Sequence, residues 1–144
     1  MSESQLYEVA SDLRNRIERL ENRAEFSVEL GEFPHGSCSV TSELLAHRLF
    51  MKGCEGIHLV SGGSPNSNMG GHTWVEVDDI LVDITCDQLE RFGITKSRVI
   101  VTKDKRFHHE NFPIHDRCAY HGNIRNDEWG PSRYGDCYAA LFPE

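Results

Sequence analysis

Apolar residues recur at spacings of three and four from Leu6 through Val9, Leu13 and Ile17 to Leu20, with Arg, Glu and Asp between them. That period predicts an amphipathic helix over Ser4–Ala24 whose stripe lies on a core. A second helix is expected from Cys38 to about Lys52, where Val40, Leu44, Leu45, Ala46, Leu49 and Phe50 give a broad apolar face. Gly53 fits its stop, because the positive φ that ends many helices is cheap only for glycine. Ile57–Ser61 reads as a short strand, and Ser61–Gly71, rich in Gly, Ser and Asn, as a flexible connection suited to a flap. After it the period changes from helical to alternating.

Two β-rich runs, His72–Val77 and Ile80–Thr85, flank Asp78-Asp79, which is a hairpin pattern. With that loop Val77 opposes Ile80, and His72, Trp74, Asp83 and Thr85 fall on one face. His72 and Asp83 then become diagonal neighbours, with Cα atoms about 7–8 Å apart. The other face carries Thr73, Val75, Val77, Ile80, Val82 and Ile84 and is apolar enough to cover a core. Thr85-x-x-Gln88 has capping-box spacing and predicts a short helix ending at Gly93. Arg98–Thr102 is a further strand of the same sheet. From Lys103 onward no period survives, and residues 103–144 are expected to wrap the body irregularly.

The expectation is one α+β domain over residues 1–144: an N-terminal helix (1–25), a core (33–102) and the wrapping tail. At 144 residues the chain supports one core. Its formal charge of −8, with no cluster of Lys or Arg, argues against nucleic acid or an anionic membrane as partner. No apolar run reaches the ~20 residues of a bilayer span, and the first residues lack the pattern of a signal peptide. The five cysteines, Cys38, Cys54, Cys86, Cys118 and Cys137, are odd in number and widely spaced, unlike a secreted disulfide framework. A reducing compartment, the cytosol, is the expected location, and delivery from there into another cell would leave no mark. Oligomeric state is not legible.

Chemistry enters with Cys38. A cysteine opening a helix meets unpaired amide N–H groups and the positive end of the helix dipole, both of which stabilise thiolate. A thiolate nucleophile needs a base and a group to orient it, and the shared hairpin face supplies His72 and Asp83. Asp83 between Val82 and Ile84 is the telling residue, because a carboxylate in an apolar strand needs a partner. The Cys38 backbone N–H is a ready oxyanion donor. His35, Ser37, Trp74 and Gln88 are further candidates for oxyanion or substrate contacts, with Gln88 favoured as the capping partner of Thr85.

Gly36-Ser-Cys38 opening an apolar helix, then His72-Thr-Trp-Val-Glu-Val, then Val82-Asp83-Ile-Thr85, resembles the papain-like, transglutaminase-like superfamily of Cys-His-Asp enzymes. The short interval from His to Asp looks nearest to bacterial transglutaminase-like and deamidase domains. The resemblance spans about Phe33 to Leu89 and implies a nucleophile helix packed on an antiparallel sheet. By position it makes Cys38 the nucleophile, His72 the base and Asp83 the orienting acid. Papain-type enzymes also carry a glutamine shortly before the cysteine, where this chain has His35 and Ser37. The implied activity is acyl transfer from an amide of a protein or peptide to water, or to an amine, with no cofactor and no metal. A rival reading takes His115-x-x-Cys118-x-x-His121, with His108, His109 and Cys137, as zinc ligands; another takes the fold as an inactive interaction module.

Overall fold

The structure, a computed structural model, describes residues 1–64 and 70–143, apart from the side chain of Arg91. The flap expected over Ser61–Gly71 falls largely on residues 65–69, outside the described residues. Helix α1 spans Glu3–Arg19 and starts at a capping box in which Ser2 and Gln5 exchange side-chain and backbone bonds. It buries Leu6, Val9, Leu13 and Ile17, as the period predicts. It ends sooner than expected because the chain turns at Leu20 and Asn22 takes a φ of 56°, which a right-handed helix does not admit.

Helix α2 spans Cys38–Met51, and Gly53, at φ 82°, closes it. Strands β1 (Ile57–Gly62), β2 (His72–Val77), β3 (Ile80–Asp83), β4 (Ile100–Thr102) and β5 (Ile114–Ala119) form one antiparallel sheet in the order β4-β3-β2-β1-β5. The β2–β3 register pairs Val77 with Ile80 and Val75 with Val82, as the Asp-Asp loop requires. Short helices α3 (Arg106–Asn111) and α4 (Tyr134–Leu141) complete the chain. With helices beside an antiparallel sheet, the fold is α+β. No helix among the described residues is long and apolar enough to cross a membrane.

The sheet is the middle layer, and both faces of its central strands β2 and β3 are largely buried. One face sends Val75, Val77, Ile80, Val82 and Ile84 into a core shared with the apolar sides of α1, α2 and α4. The other sends Val60, Trp74 and Leu81 against Cys86, Leu89 and Phe112. The segment after Asp83 therefore roofs the second face. Its first part, Cys86–Phe92, is a 3-10 helix in which Thr85 makes no side-chain cap, so the expected capping box does not form. Residues 103–144 are more regular than the sequence suggests, since α3, β5 and α4 all lie there. Strand β5 escapes detection because it is an edge strand, exposed at every position, with no apolar face to give it a period.

Arg14 joins the two ends of this arrangement. Its buried guanidinium donates to both carboxylate oxygens of Asp87, at 2.8 and 2.9 Å, and to the carbonyl of Ile84 at 2.6 Å. Helix α1 is thereby tied to the segment that carries Gln88. Arg14→Ala, which strands Asp87 and the Ile84 carbonyl, is expected to cost about 3 kcal/mol in urea unfolding. Arg106→Ala, at a fully exposed pair with Asp104, is expected to leave the midpoint unchanged.

Candidate active site

Asp83 ends β3 with its carboxylate fully buried, 2 % exposed. Burial favours the neutral acid, but three donors oppose that. Oδ1 accepts from the Thr85 N–H at 2.9 Å. Oδ2 lies 2.6 Å from His72 Nε2 and 2.7 Å from His108 Nε2. The charge of His72 and the bonds from both imidazoles outweigh burial and hold the carboxyl far below the usual range. Both Nε2 atoms face a carboxylate oxygen, so each carries its proton toward Asp83.

His72 begins β2 and is 2 % exposed. Burial disfavours its imidazolium, yet the Asp83 charge and hydrogen bond, with contacts to the Cys38 and Cys86 thiols, raise its pKa well above the ordinary value. With Nε2 committed to Asp83, Nδ1 is the atom that can exchange a proton with Cys38. The Cys38 thiol and the His72 imidazole are near enough for each to shift the other's pKa. Burial pushes the thiol pKa up; the His72 imidazole and the Thr73 backbone N–H bring it below the ordinary value. Cys38 as a residue is half-buried, whereas His72 is buried. Ser42, one turn into α2, donates to the Thr73 carbonyl at 3.1 Å and holds the helix start against β2.

Gln88 bridges the loop before Cys38 and the His72 ring. Its Oε1 accepts from the Gly36 N–H at 3.1 Å, which requires Nε2 to point at His72 Nδ1, 3.1 Å away. Thr85 Oγ1, the expected capping partner, is a weaker neighbour at 3.4 Å. Gly36 reaches this position at φ 68°, in the left-handed region where a Cβ is strained. The other candidates are placed differently. Ser37 Oγ donates to the Pro34 carbonyl at 2.8 Å, and Trp74 Nε1 donates to Glu76 Oε2 at 2.9 Å. Neither can serve a developing oxyanion without breaking that bond. His35 has its Nδ1 buried with no hydrogen-bond partner among the described residues. The Cys38 amide, in the first turn of α2, has no intrahelical acceptor.

The residues of the zinc reading do not converge. His115 and Cys118 alternate across the exposed β5, Cys137 is buried in the core on α4, and His108 faces Asp83. His108 is the residue sequence reasoning missed as a partner of Asp83. Its neighbour His109 contacts the second buried carboxylate, Glu76, at 2.9 Å, and Arg117 on β5 donates to the same group at 2.7 Å. Burial would raise the Glu76 pKa, but Arg117, His109 and Trp74 bring it to about 2. The rule that marked Asp83, a carboxylate inside an apolar strand, also marks Glu76 between Val75 and Val77.

This arrangement can make a thiolate, hold the imidazolium that results, and offer an amide N–H to negative charge at the helix start. No family model, curated protein or solved structure matches the chain, so its chemistry is read from the geometry alone.

The Asp83 network has a pH signature. The lowered Asp83 pKa contributes stability above about pH 3.9, its unfolded value, and loses it as pH falls. The raised His72 pKa contributes fully below about pH 6.5 and loses it as pH rises toward the folded value. The stability difference between wild type and Asp83→Asn is therefore expected to peak between about pH 4.5 and 6, at roughly 3–5 kcal/mol. Urea unfolding at pH 3, 5.5 and 9 measures it, and a gap that does not change with pH would contradict the assignment.

Proposed function

We propose that the protein is a thiol-dependent acyl-transfer enzyme that hydrolyses an amide of a protein or peptide through Cys38, His72 and Asp83. The half-buried Cys38 beside an imidazole held 2.6 Å from a buried carboxylate, ring and thiol each shifting the other's pKa, carries this reading. The order of the parts, a cysteine at a helix start and then histidine and aspartate on neighbouring strands, supports a papain-like, transglutaminase-like core.

In the proposed reaction Cys38 transfers its proton to His72 Nδ1 and the sulfur attacks the carbonyl carbon. The C–S bond forms and the oxygen becomes an oxyanion beside the Cys38 N–H. With Nδ1 protonated, Gln88 Nε2 loses its acceptor there and is freed to donate to the same oxyanion. As the C–N bond breaks, His72 returns the proton to the departing amine and a thioester remains. Water, deprotonated by His72, attacks the thioester, releasing a carboxylate and restoring the thiol. Asp83 stays ionised throughout and keeps Nε2–H in place. An amine in place of water gives transamidation, and a glutamine side-chain amide as substrate gives deamidation.

Two measurements test this. With chelator present, iodoacetamide near pH 6 is expected to label Cys38 well before Cys86 and Cys137, whose burial pushes their thiols up to about 11 and 12. His72→Ala should remove that advantage; if Cys38 is no faster than Cys54 in wild type, its activation by His72 is refuted. Mass spectrometry of candidate protein substrates, treated with wild type and with Cys38→Ala, then separates cleavage, a one-dalton deamidation and amine incorporation. Mass changes that persist with Cys38→Ala would refute Cys38 as the nucleophile, and their absence across a broad substrate panel would favour an interaction module.

A further inference from the structure

Cys86 and His108 take no part in the reaction above, yet both are buried beside its base. Cys86 Sγ is 3.9 Å from His108 Nε2 and also contacts the His72 imidazole. His108 Nε2 and His72 Nε2 meet at one oxygen of Asp83. One nitrogen, oxygen or sulfur atom from each of His72, Asp83, Cys86 and His108 lies within 4.8 Å of every other. We propose that these four residues form a site for a zinc-like divalent cation, and that occupying it disables His72 as the base for Cys38.

Four properties carry the proposal. Two imidazoles, a thiolate and a carboxylate are a donor set that four-coordinate Zn²⁺ accepts, with bonds of about 2.0–2.3 Å. That radius needs ligand atoms roughly 3.3–3.7 Å apart. The 2.6 and 2.7 Å contacts to Asp83 must open, and the 3.9 Å contact of Cys86 must close slightly, each by less than about 1 Å. Charge also balances, because one thiolate and one carboxylate neutralise a divalent ion, leaving no net charge in a buried place. An outer partner already exists: Thr85 N–H holds the second oxygen of Asp83. Finally, a cavity of about 250 Å³ reaches His108 from the surface. Its rim carries Asp104, which attracts a cation, and Lys96, which opposes it.

Binding releases the Cys86 proton and displaces the Nε2 protons of both histidines. Each imidazole then ligates as its neutral tautomer with the remaining proton on Nδ1. His72 in that form has no free nitrogen to accept the Cys38 proton. The blockade of Cys38 rests on the proposed function; the binding does not.

Co²⁺ is the probe, added to full-length protein without a histidine tag. Wild type and Cys38→Ala are expected to bind one equivalent and show a thiolate-to-cobalt charge-transfer band, displaced by one equivalent of Zn²⁺. Cys86→Ser should lose the band, and His108→Gln should weaken binding by about tenfold or more, with circular dichroism checking that each variant is folded. Should Cys86→Ser not fold, His108→Gln decides the matter. No band in wild type, binding unchanged in His108→Gln, or a band that follows Cys38 rather than Cys86 would overturn the site. Zn²⁺ should also slow iodoacetamide labelling of Cys38 in wild type but not in Cys86→Ser. A Cys86-dependent band with an unreactive Cys38 would leave the metal site standing and the proposed function refuted.

Discussion

A carboxylate buried between Val82 and Ile84 constrains the surrounding structure. An ionised group in such a place is tolerated only if donors reach it, and Asp83 receives three. Those donors come from β2, from the start of the 3-10 segment and from α3, so satisfying one side chain fixes three parts of the chain. Glu76 imposes a parallel demand on the same sheet face, met by Arg117, His109 and Trp74. The adjacent residues His108 and His109 thus face two separate carboxylates. That double attachment explains how a six-residue helix with one buried histidine keeps a defined position.

The hairpin was legible because its geometry follows from counting. Two loop residues set the register, the register sets the face, and Asp83 announces itself by its apolar neighbours. Helix α2 was legible for a similar reason, since its apolar face is long and Gly53 marks its end. Local pattern gave little guidance where partners come from far along the chain. His108 lies 25 residues after Asp83, and Gln88 bonds to Gly36, 52 residues earlier. Capping-box spacing named the right residue and the wrong partner: a long-range backbone donor and the His72 ring took the amide that Thr85 was expected to hold. In α4, Tyr134, Cys137 and Leu141 are buried at helical spacing, a signal that was present but short.

The two halves of the candidate site differ in burial. His72 and Asp83 are buried almost completely, where their mutual attraction is weakly screened, while Cys38 is half-buried. Strengthening the His72–Asp83 pair favours the imidazolium without burying Cys38 further. Cys86 and His108 lie on the buried side of the network.

The Gln88 amide bridges two chain segments whose backbones share no element. Being planar, it acts as a spacer of fixed length between the loop before Cys38 and the His72 ring. Its two ends cannot be adjusted independently: pulling Gly36 outward draws the amide away from His72. A bound molecule that pressed on the loop at residues 35–37 would therefore be felt at the imidazole without touching it, so the position of the His72 ring relative to Cys38 becomes a mechanical property of the loop.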